Sequence, residues 1–376
     1  GTPLTLVAAP AGSGKTTLLA DWLTTPRARK QAIAWVSLDP GDNDPVRFWT
    51  YVITSLQETG AIGDERALTL LQTHQPTAFE SVLTSLINGL AAAQHDVMLV
   101  LDDYHVIQSQ TIHEALAFLL EHRPPRLHLV IVTREDPPLP LPRLRARGEL
   151  TEIRAADLKF APGEAAAFLI STMGLGLTAH DLALLESRTE GWIAGLQLAA
   201  LSLQGKPDTS RFIQAFAGTD RYIVDYLVSE VLQRQPEAIR RFLLETAILD
   251  RLSGSLCDAV AGRDDGAEML EALERGNLFV VPLDDTRHWY RYHHLFADVL
   301  RARLLAEYPG RAATLHLNAS RWYECAGATA EAVRHALAGD DAARAADLVE
   351  LAAPALRRSR QEATLLRWCK AIPDDV

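Results

Sequence analysis

At 376 residues the chain is longer than one ordinary domain, so two to four are expected, and 48% apolar residues supply enough side chain for proper cores. A formal net charge of -11 argues against a nucleic-acid-binding surface, because such surfaces draw much of their affinity from cationic neutralisation of phosphates. The longest apolar runs are strand-sized and no secretory leader stands first, so neither a membrane-spanning helix nor export is expected. Cys257, Cys325 and Cys369 are far apart and without paired spacing; they suit a reducing cytoplasm and suggest neither a disulfide framework nor a zinc site.

In chain order, the first strand is predicted over Leu4–Ala8. It runs into Ala9-Pro10-Ala11-Gly12-Ser13-Gly14-Lys15-Thr16, which has P-loop spacing with alanine where glycine usually stands first. Gly12 and Gly14 let backbone N–H groups approach phosphate oxygens, with Ala11, Ser13 and Thr17 completing the cradle. Lys15 reaches the β- and γ-phosphates, and the Thr16 hydroxyl joins the shell of a magnesium ion. The following segment, from Thr17 to Leu23, reads as a helix whose positive end faces the same phosphates. The plainer alternative is a glycine turn between strand and helix.

Further strands are predicted at Ala32–Val36, Val97–Leu101, Leu127–Thr133 and, least distinctly, Glu149–Arg154, with helices such as Val46–Glu58 and Phe79–Ala93 between them. This alternation predicts a parallel sheet with covering helices. The run Val97-Met98-Leu99-Val100-Leu101 is apolar throughout, as expected of a strand buried on both faces, and ends in Asp102-Asp103. In P-loop enzymes an acid here holds magnesium and a second can orient the attacking water, giving Asp102 and Asp103 those roles; helix capping is the alternative. One strand intervenes between the two motif strands in the chain, which suits the inserted-strand class, with the fourth strand lying between them in the sheet. Arg134 would then emerge beside the terminal phosphate, where a guanidinium can stabilise or sense it. The proline-rich stretch from Asp136 to Pro142 reads as an ordered crossing or lid, and the alternate arginines Arg143, Arg145 and Arg147 as a solvated face.

From Pro162 strand signals vanish. Helices over Gly163–Met173, His180–Arg188 and Ile193–Leu203 predict a small bundle, with Gly191-Trp192-Ile193-Ala194-Gly195-Leu196 at its last helix start read as close packing or close approach to a ligand. Helices over Val224–Arg234, Pro236–Leu249 and Gly266–Arg275 precede two strands around Asp284-Asp285-Thr286-Arg287, the order of a winged helix. Its helix Ala267–Arg275 carries three glutamates and one arginine, a charge that reads as an internal module and not a DNA reader. From Arg311 the chain is alanine-rich and helical, with about two tetratricopeptide-like units, so the repeat is expected to continue past Asp374-Asp375-Val376. The reading divides the chain into a P-loop domain over 1–160, a helical lid over 161–220, a winged helix over 221–305 and a helical arm over 306–376.

These pieces in this order resemble the signal-transducing P-loop ATPases with numerous domains, the STAND class. More closely they resemble the large ATP-dependent transcriptional activators related to the maltose regulator MalT, often grouped with LuxR-type regulators. The resemblance rests on Ala8–Leu19, on Trp35–Asp39 with Asp42-Asn43-Asp44-Pro45, on Leu101–His105, Thr133–Pro140, Glu190–Leu196 and Tyr290–Phe296. It implies a nucleotide switch using ATP, ADP and Mg2+. ADP would lock the domains into a closed monomer; a small-molecule or protein inducer with ATP would open it for self-association, and a separate C-terminal domain would bind promoters. It also implies a winged-helix histidine that reads the ADP phosphate, best matched by His293 and next by His294. Two departures are expected to matter. The family places an adenine-holding segment before the P-loop strand, whereas this chain begins at Gly1-Thr2-Pro3, so nucleotide affinity is expected to suffer; and Ile193-Ala194 stands where the lid motif often has proline, which puts a lid contact to nucleotide in doubt.

Three functions compete: a slow, regulated ATPase acting as a transcriptional switch, a defence or scaffold ATPase of the same class, and a P-loop metabolic enzyme. The last would need an acid/base cluster of its own after residue 160, where the sequence shows packing-type helix.

Overall fold

The computed structural model describes residues 2–26, 28, 31–62, 66–72, 78–204, 209–215, 220–284, 286–358 and 362–372. Asp285 of the expected hairpin turn, Gly1 and the terminal Asp374-Asp375-Val376 lie outside the described residues. The chain forms two units. The first is Gly1–Ala161 together with two short later segments, Trp192–Ala194 and Arg275–Asn277; the second holds Pro162–Gly191, Gly195–Glu274 and Leu278–Val376.

The first unit is a parallel sheet of β1 (Leu4–Ala8), β2 (Ala32–Ser37), β3 (Val97–Asp102), β4 (Leu127–Thr133) and β5 (Leu150–Arg154), in the order β2-β3-β4-β1-β5. The fourth strand therefore lies between the P-loop strand and the aspartate strand, as the inserted-strand class requires; Leu4 pairs with Leu129 and Val97 with Leu127. The central strands β1, β3 and β4 are largely apolar on both faces because both are covered. Leu4, Leu6, Leu99, Leu101, Leu129 and Ile131 point into a large core, while the alternate residues Val7, Met98, Val100, Val130 and Val132 form a smaller one on the opposite face.

Helices α1 (Lys15–Leu23), α2 (Pro45–Glu58), α3 (Arg66–Gln72), α4 (Ala78–Ala91), α5 (Gln110–Glu121), α6 (Leu141–Ala146) and α7 (Ala155–Leu158) complete this unit. In α2, the Asp44 side chain accepts from the Arg47 amide at 2.8 Å, proline takes the first helical position, and Phe48, Trp49, Val52, Ile53 and Leu56 form one fully buried face. The proline-rich crossing is ordered, with Leu139, Leu141 and Leu144 buried. Arg143, Arg145 and Arg147 are exposed, as expected of a solvated face, and on that face Arg145 meets Glu152 through two bonds of 2.7 and 2.9 Å, because β5 places that carboxylate beside α6.

The second unit begins with α8 (Pro162–Ala167), which continues as a π-helical turn over Phe168–Thr172. It goes on through α9 (Ala179–Thr189), α10 (Ile193–Leu203), α11 (Thr209–Ala215) and α12 (Arg221–Leu227), with a second π turn over Val228–Leu232. Then come α13 (Glu237–Thr246), α14 (Gly254–Ala261), α15 (Gly266–Arg275) and the antiparallel pair β6 (Val280–Pro282) and β7 (Tyr290–Tyr292). Leu252 adds a bridge to Tyr290, so three short extended segments stand side by side, and α16 (His294–Glu307) follows. Within this winged helix, Glu274 of α15 is engaged by Arg287 at 3.3 Å and by the Tyr290 hydroxyl at 3.3 Å. Four further helices, α17 (Arg311–Cys325), α18 (Thr329–Ala338), α19 (Ala342–Arg358) and α20 (Glu362–Ala371), pack each against the next. No helix among the described residues is long and apolar enough to cross a membrane.

Candidate functional site

The loop between β1 and α1 has its shape from two left-handed residues, Gly12 at φ 70° and Gly14 at φ 77°, a region that a side chain makes costly. Lys15 and Thr16 then open α1. The Lys15 side chain is buried, and its ammonium donates to the carbonyls of Ala9 at 2.9 Å and Pro10 at 3.0 Å. Burial, followed by the charge of Arg134, pushes the Lys15 ammonium down to about 8, against the pull of Asp103 and Asp102. Arg134, at the end of β4, is thus an electrostatic neighbour of the loop lysine, as the strand order demands.

The Thr16 hydroxyl donates to the Asp102 carboxylate, 3.3 Å from Oδ1 and 3.2 Å from Oδ2. Asp102 is buried at the end of β3, and burial with the Asp103 charge raises its carboxyl above the usual range. Asp103 sits at φ 58°, donates its amide to Asp102 Oδ1 at 3.0 Å and leaves about half its side chain exposed, 51%. That left-handed turn aims the two neighbouring carboxylates differently: one inward to the threonine, one to the open side beside His105 at 3.7 Å. Ala11, Gly12, Ser13, Gly14, Lys15, Thr16, Thr17, Asp102, Asp103 and Arg134 all belong to the first unit. A hydroxyl and a carboxylate side by side are hard oxygen donors, and they fit Mg2+.

Sequence reasoning missed the residues that brace this site. Asn43, in the Asp42-Asn43-Asp44-Pro45 segment, accepts from the amides of Gln108 at 2.6 Å and Ser109 at 3.1 Å and donates to the Val106 carbonyl at 2.8 Å, tying down the turn that leaves Asp103. The Trp192 indole N–H donates to the Ala11 carbonyl at 3.0 Å, and the Ala194 amide to the Gly12 carbonyl at 3.1 Å. Ile193 lies against Gly14, its Cδ1 2.9 Å from where a Cβ would stand. The glycine-flanked segment therefore makes a close approach to the P-loop itself. Asn277 donates its side-chain amide to the Arg134 carbonyl at 2.8 Å. The asparagine and the tryptophan stand inside quoted motif segments, which was the available signal, but sequence separation hid their partners.

His293 belongs to the second unit, where it caps α16 from a buried position. Its Nε2 lies 3.0 Å from the Thr189 carbonyl and 3.9 Å from Glu190 Oε1. His294 is exposed, with its amide donating to Glu190 Oε1 at 3.2 Å. Glu190, also unassigned from sequence, is the hub of this cluster. Burial alone would raise its carboxyl, but the Arg291 hydrogen bonds, with His293 and the His294 amide, hold it down to about 2.

Residues 1–132 match the family described as an AAA ATPase domain, and residues 228–312 match the MalT winged helix domain. The HTH-type transcriptional regulator MalT of Serratia proteamaculans is 36% identical over 376 residues, covering 98% of this chain and 41% of the relative. The chain belongs to the MalT-type P-loop ATPases. The serine/threonine-protein kinase PknK of Mycobacterium tuberculosis is 37% identical over 373 residues, covering 99% of this chain and 34% of the relative. This member of the MalT-type class thus spans well under half the length of the curated relatives it matches. Among solved structures, the Walker-type ATPase paby2304 of Pyrococcus abyssi shares the fold, with a TM-score of 0.54 and 17% identity over 80% of this chain and 91% of that one.

Proposed function

We propose that this MalT-type chain is the nucleotide switch of a larger regulatory protein. It binds ATP and ADP with Mg2+ and hydrolyses ATP slowly; the ADP form is closed, and ATP with an inducer opens it for self-association. The observation that carries this reading is the Thr16 hydroxyl on the Asp102 carboxylate at the start of a helix that follows two left-handed glycines. The relatives add a second support. One is named a protein kinase and the other a transcriptional regulator, so the segment they share with this chain suits control better than output.

In this reading, amides of the loop from Ala11 through Thr17 hold the phosphates, and Lys15 leaves its carbonyl partners for the β- and γ-phosphate oxygens. Thr16 and Asp102 hold magnesium, which would neutralise phosphate charge. Asp103 orients the attacking water, and Arg134 answers to the terminal phosphate. His293, or His294 in its place, reads the ADP phosphate. DNA contact is assigned to none of this chain, given its acidity and the engagement of Glu274 within the winged helix. Thermal unfolding with MgADP and MgATP tests the binding step. Ligand at a hundredfold excess over Kd stabilises by about 2.7 kcal/mol; that gain is expected in the parent and lost in Lys15→Ala, and a parent that shows no gain refutes the reading.

A further inference from the structure

The amide groups that would receive phosphate are oriented from outside the loop. A trans peptide is planar, so its C=O and N–H point in opposite directions. The Ala11 carbonyl and the Gly12 N–H share one such plane, and the Gly12 carbonyl and Ser13 N–H share the next; no peptide here is cis among the described residues. Trp192 holds the first carbonyl at 3.0 Å and the Ala194 amide holds the second at 3.1 Å. Both planes are thereby fixed with their N–H groups turned away from the bracing segment. Among the described residues, neither the Gly12 nor the Ser13 amide donates to a protein acceptor. Trp192 is itself buried, so its ring cannot turn to water for an alternative acceptor, and Ile193 fills the side-chain space beside Gly14. A loop carrying two left-handed glycines has many backbone states; the brace selects one.

We propose that Trp192 and Ala194 are positioning residues for phosphate binding: by pinning two P-loop carbonyls they pre-organise the Gly12 and Ser13 amides as an anion cradle. The proposal rests on the nucleotide-binding reading above. It also gives the Gly191-Trp192-Ile193-Ala194 segment work that needs no contact with nucleotide.

The test separates phosphate from nucleoside. Trp192→Phe keeps an aromatic ring and removes the donor. Ala194→Pro removes the second donor at an early helical position that tolerates proline. Dissociation constants for MgADP and for magnesium pyrophosphate are measured by displacement of a fluorescent nucleotide, in the parent chain, in each variant and in Lys15→Ala. One buried neutral hydrogen bond corresponds to roughly a three- to tenfold effect. Each variant is expected to weaken ADP and pyrophosphate by the same factor in that range, with ATP turnover changed mainly in KM. Equal affinity in parent and variants, while Lys15→Ala loses both ligands, overturns the positioning role and leaves nucleotide binding standing. Loss of ADP affinity with pyrophosphate unchanged overturns it too, since the defect then lies with the nucleoside. A parent that binds neither ligand removes the underlying reading and the proposal with it. Should Trp192→Phe not fold, benzothienylalanine at 192, which replaces the ring N–H with sulfur at similar volume, is judged by the same criteria.

Discussion

Arg291 meets Glu190 with two guanidinium nitrogens, Nη1 to Oε1 and Nη2 to Oε2, each at 2.8 Å, across 101 positions of sequence. Glu190 is a non-glycine residue at φ 51° that ends α9, so its backbone has little intrinsic reason to stay there. The fork geometry of Arg291 supplies the reason, and it joins the segment that ends at Glu190 to the strand that precedes His293.

Removal of Arg291 should therefore cost more than an ordinary surface pair. Hydrogen bonds to charged groups are worth about 1.5–3 kcal/mol, and Arg291→Ala should fall in that range in urea denaturation at pH 7. Arg291→Lys should recover less than half, since an ammonium cannot make both bonds. The pH dependence has a definite sign. Glu190 is held at about 2, below an ordinary glutamate, so folding favours its ionised form. Its contribution is complete above the usual carboxylate range and is lost as pH falls from there through about 2. Parent and Glu190→Gln should thus differ most at pH 7 and converge toward pH 2. A constant difference across that range would show that the charge does not matter.

The two aspartates predict a separation of binding from turnover. Asp102 is buried and bonded to Thr16, whereas Asp103 is half-exposed and points elsewhere. Asp103→Asn should keep ATP affinity within about twofold and slow hydrolysis by about 10²–10⁴-fold, the usual range for a group that acts on a transferring proton. Asp102→Asn should weaken magnesium-dependent binding itself. Arg134→Ala should lower affinity for ATP more than for ADP, as equilibrium titrations with both nucleotides will read. Equal loss for the two would take Arg134 away from the terminal phosphate.

The sheet was legible because its central strands are short, near-continuous apolar runs with both faces filled: β1 and β4 begin and end where the runs do, and the intervening strand order follows from the position of the second motif. The loop between β1 and α1 was legible because its glycines, lysine and threonine are adjacent in sequence, so the spacing alone announces it. The bracing residues were not, since Trp192 and its acceptor are 181 positions apart and no spacing rule connects them. Helix α16 also went unassigned. Its buried residues Leu295, Phe296, Ala297, Val299, Leu300 and Leu304 lie on several sides of the helix, so no single apolar stripe announces it.

The helical arm should be acid-labile. His316 and His335 face each other at 2.8 Å between their Nδ1 atoms, and Arg334 donates to His335 Nε2 at 2.9 Å. An arginine can only donate, so His335 must accept at Nε2 and donate from Nδ1, and His316 must accept. A proton on either accepting nitrogen breaks the chain. Burial, then Arg334 and His316, pushes His335 down to about 3; His316 is lowered by burial and by Arg334 and Arg301, with Asp250 opposing. Between the ordinary histidine value and about 3 the unfolded state binds the extra proton, so stability is complete above that ordinary value and falls as pH drops. The loss from His335 alone is about 2 kcal/mol at pH 5. Circular dichroism melts at pH 7.5 and pH 5 should show it, and His335→Phe should shrink the difference. A difference as large in that variant would place the acid sensitivity elsewhere.

His293 carries the last prediction, because its geometry limits how it can serve a phosphate. With Nε2 donating to the Thr189 carbonyl at 3.0 Å, a neutral ring has only an acceptor left at Nδ1. Donation to phosphate therefore requires the imidazolium, with the Glu190 carboxylate 3.9 Å from Nε2. A differential contact of this kind is what a population shift needs, since a ligand moves an equilibrium only by its unequal affinity for the two states. A swing from 1:99 to 99:1 takes about 5.5 kcal/mol, and one charge-assisted bond supplies roughly 1.5–3 kcal/mol, so in the proposed switch His293 would be one element of the lock among several. His293→Ala should release ADP about ten- to a hundredfold faster, a factor that follows from that bond energy, with the open, larger form more populated in small-angle scattering. The same change at the exposed His294 should leave release unchanged. If His294→Ala accelerates release and His293→Ala does not, the role passes to the neighbour; if neither does, the winged helix has no part in holding ADP, and His293 serves only to join the start of α16 to the end of α9.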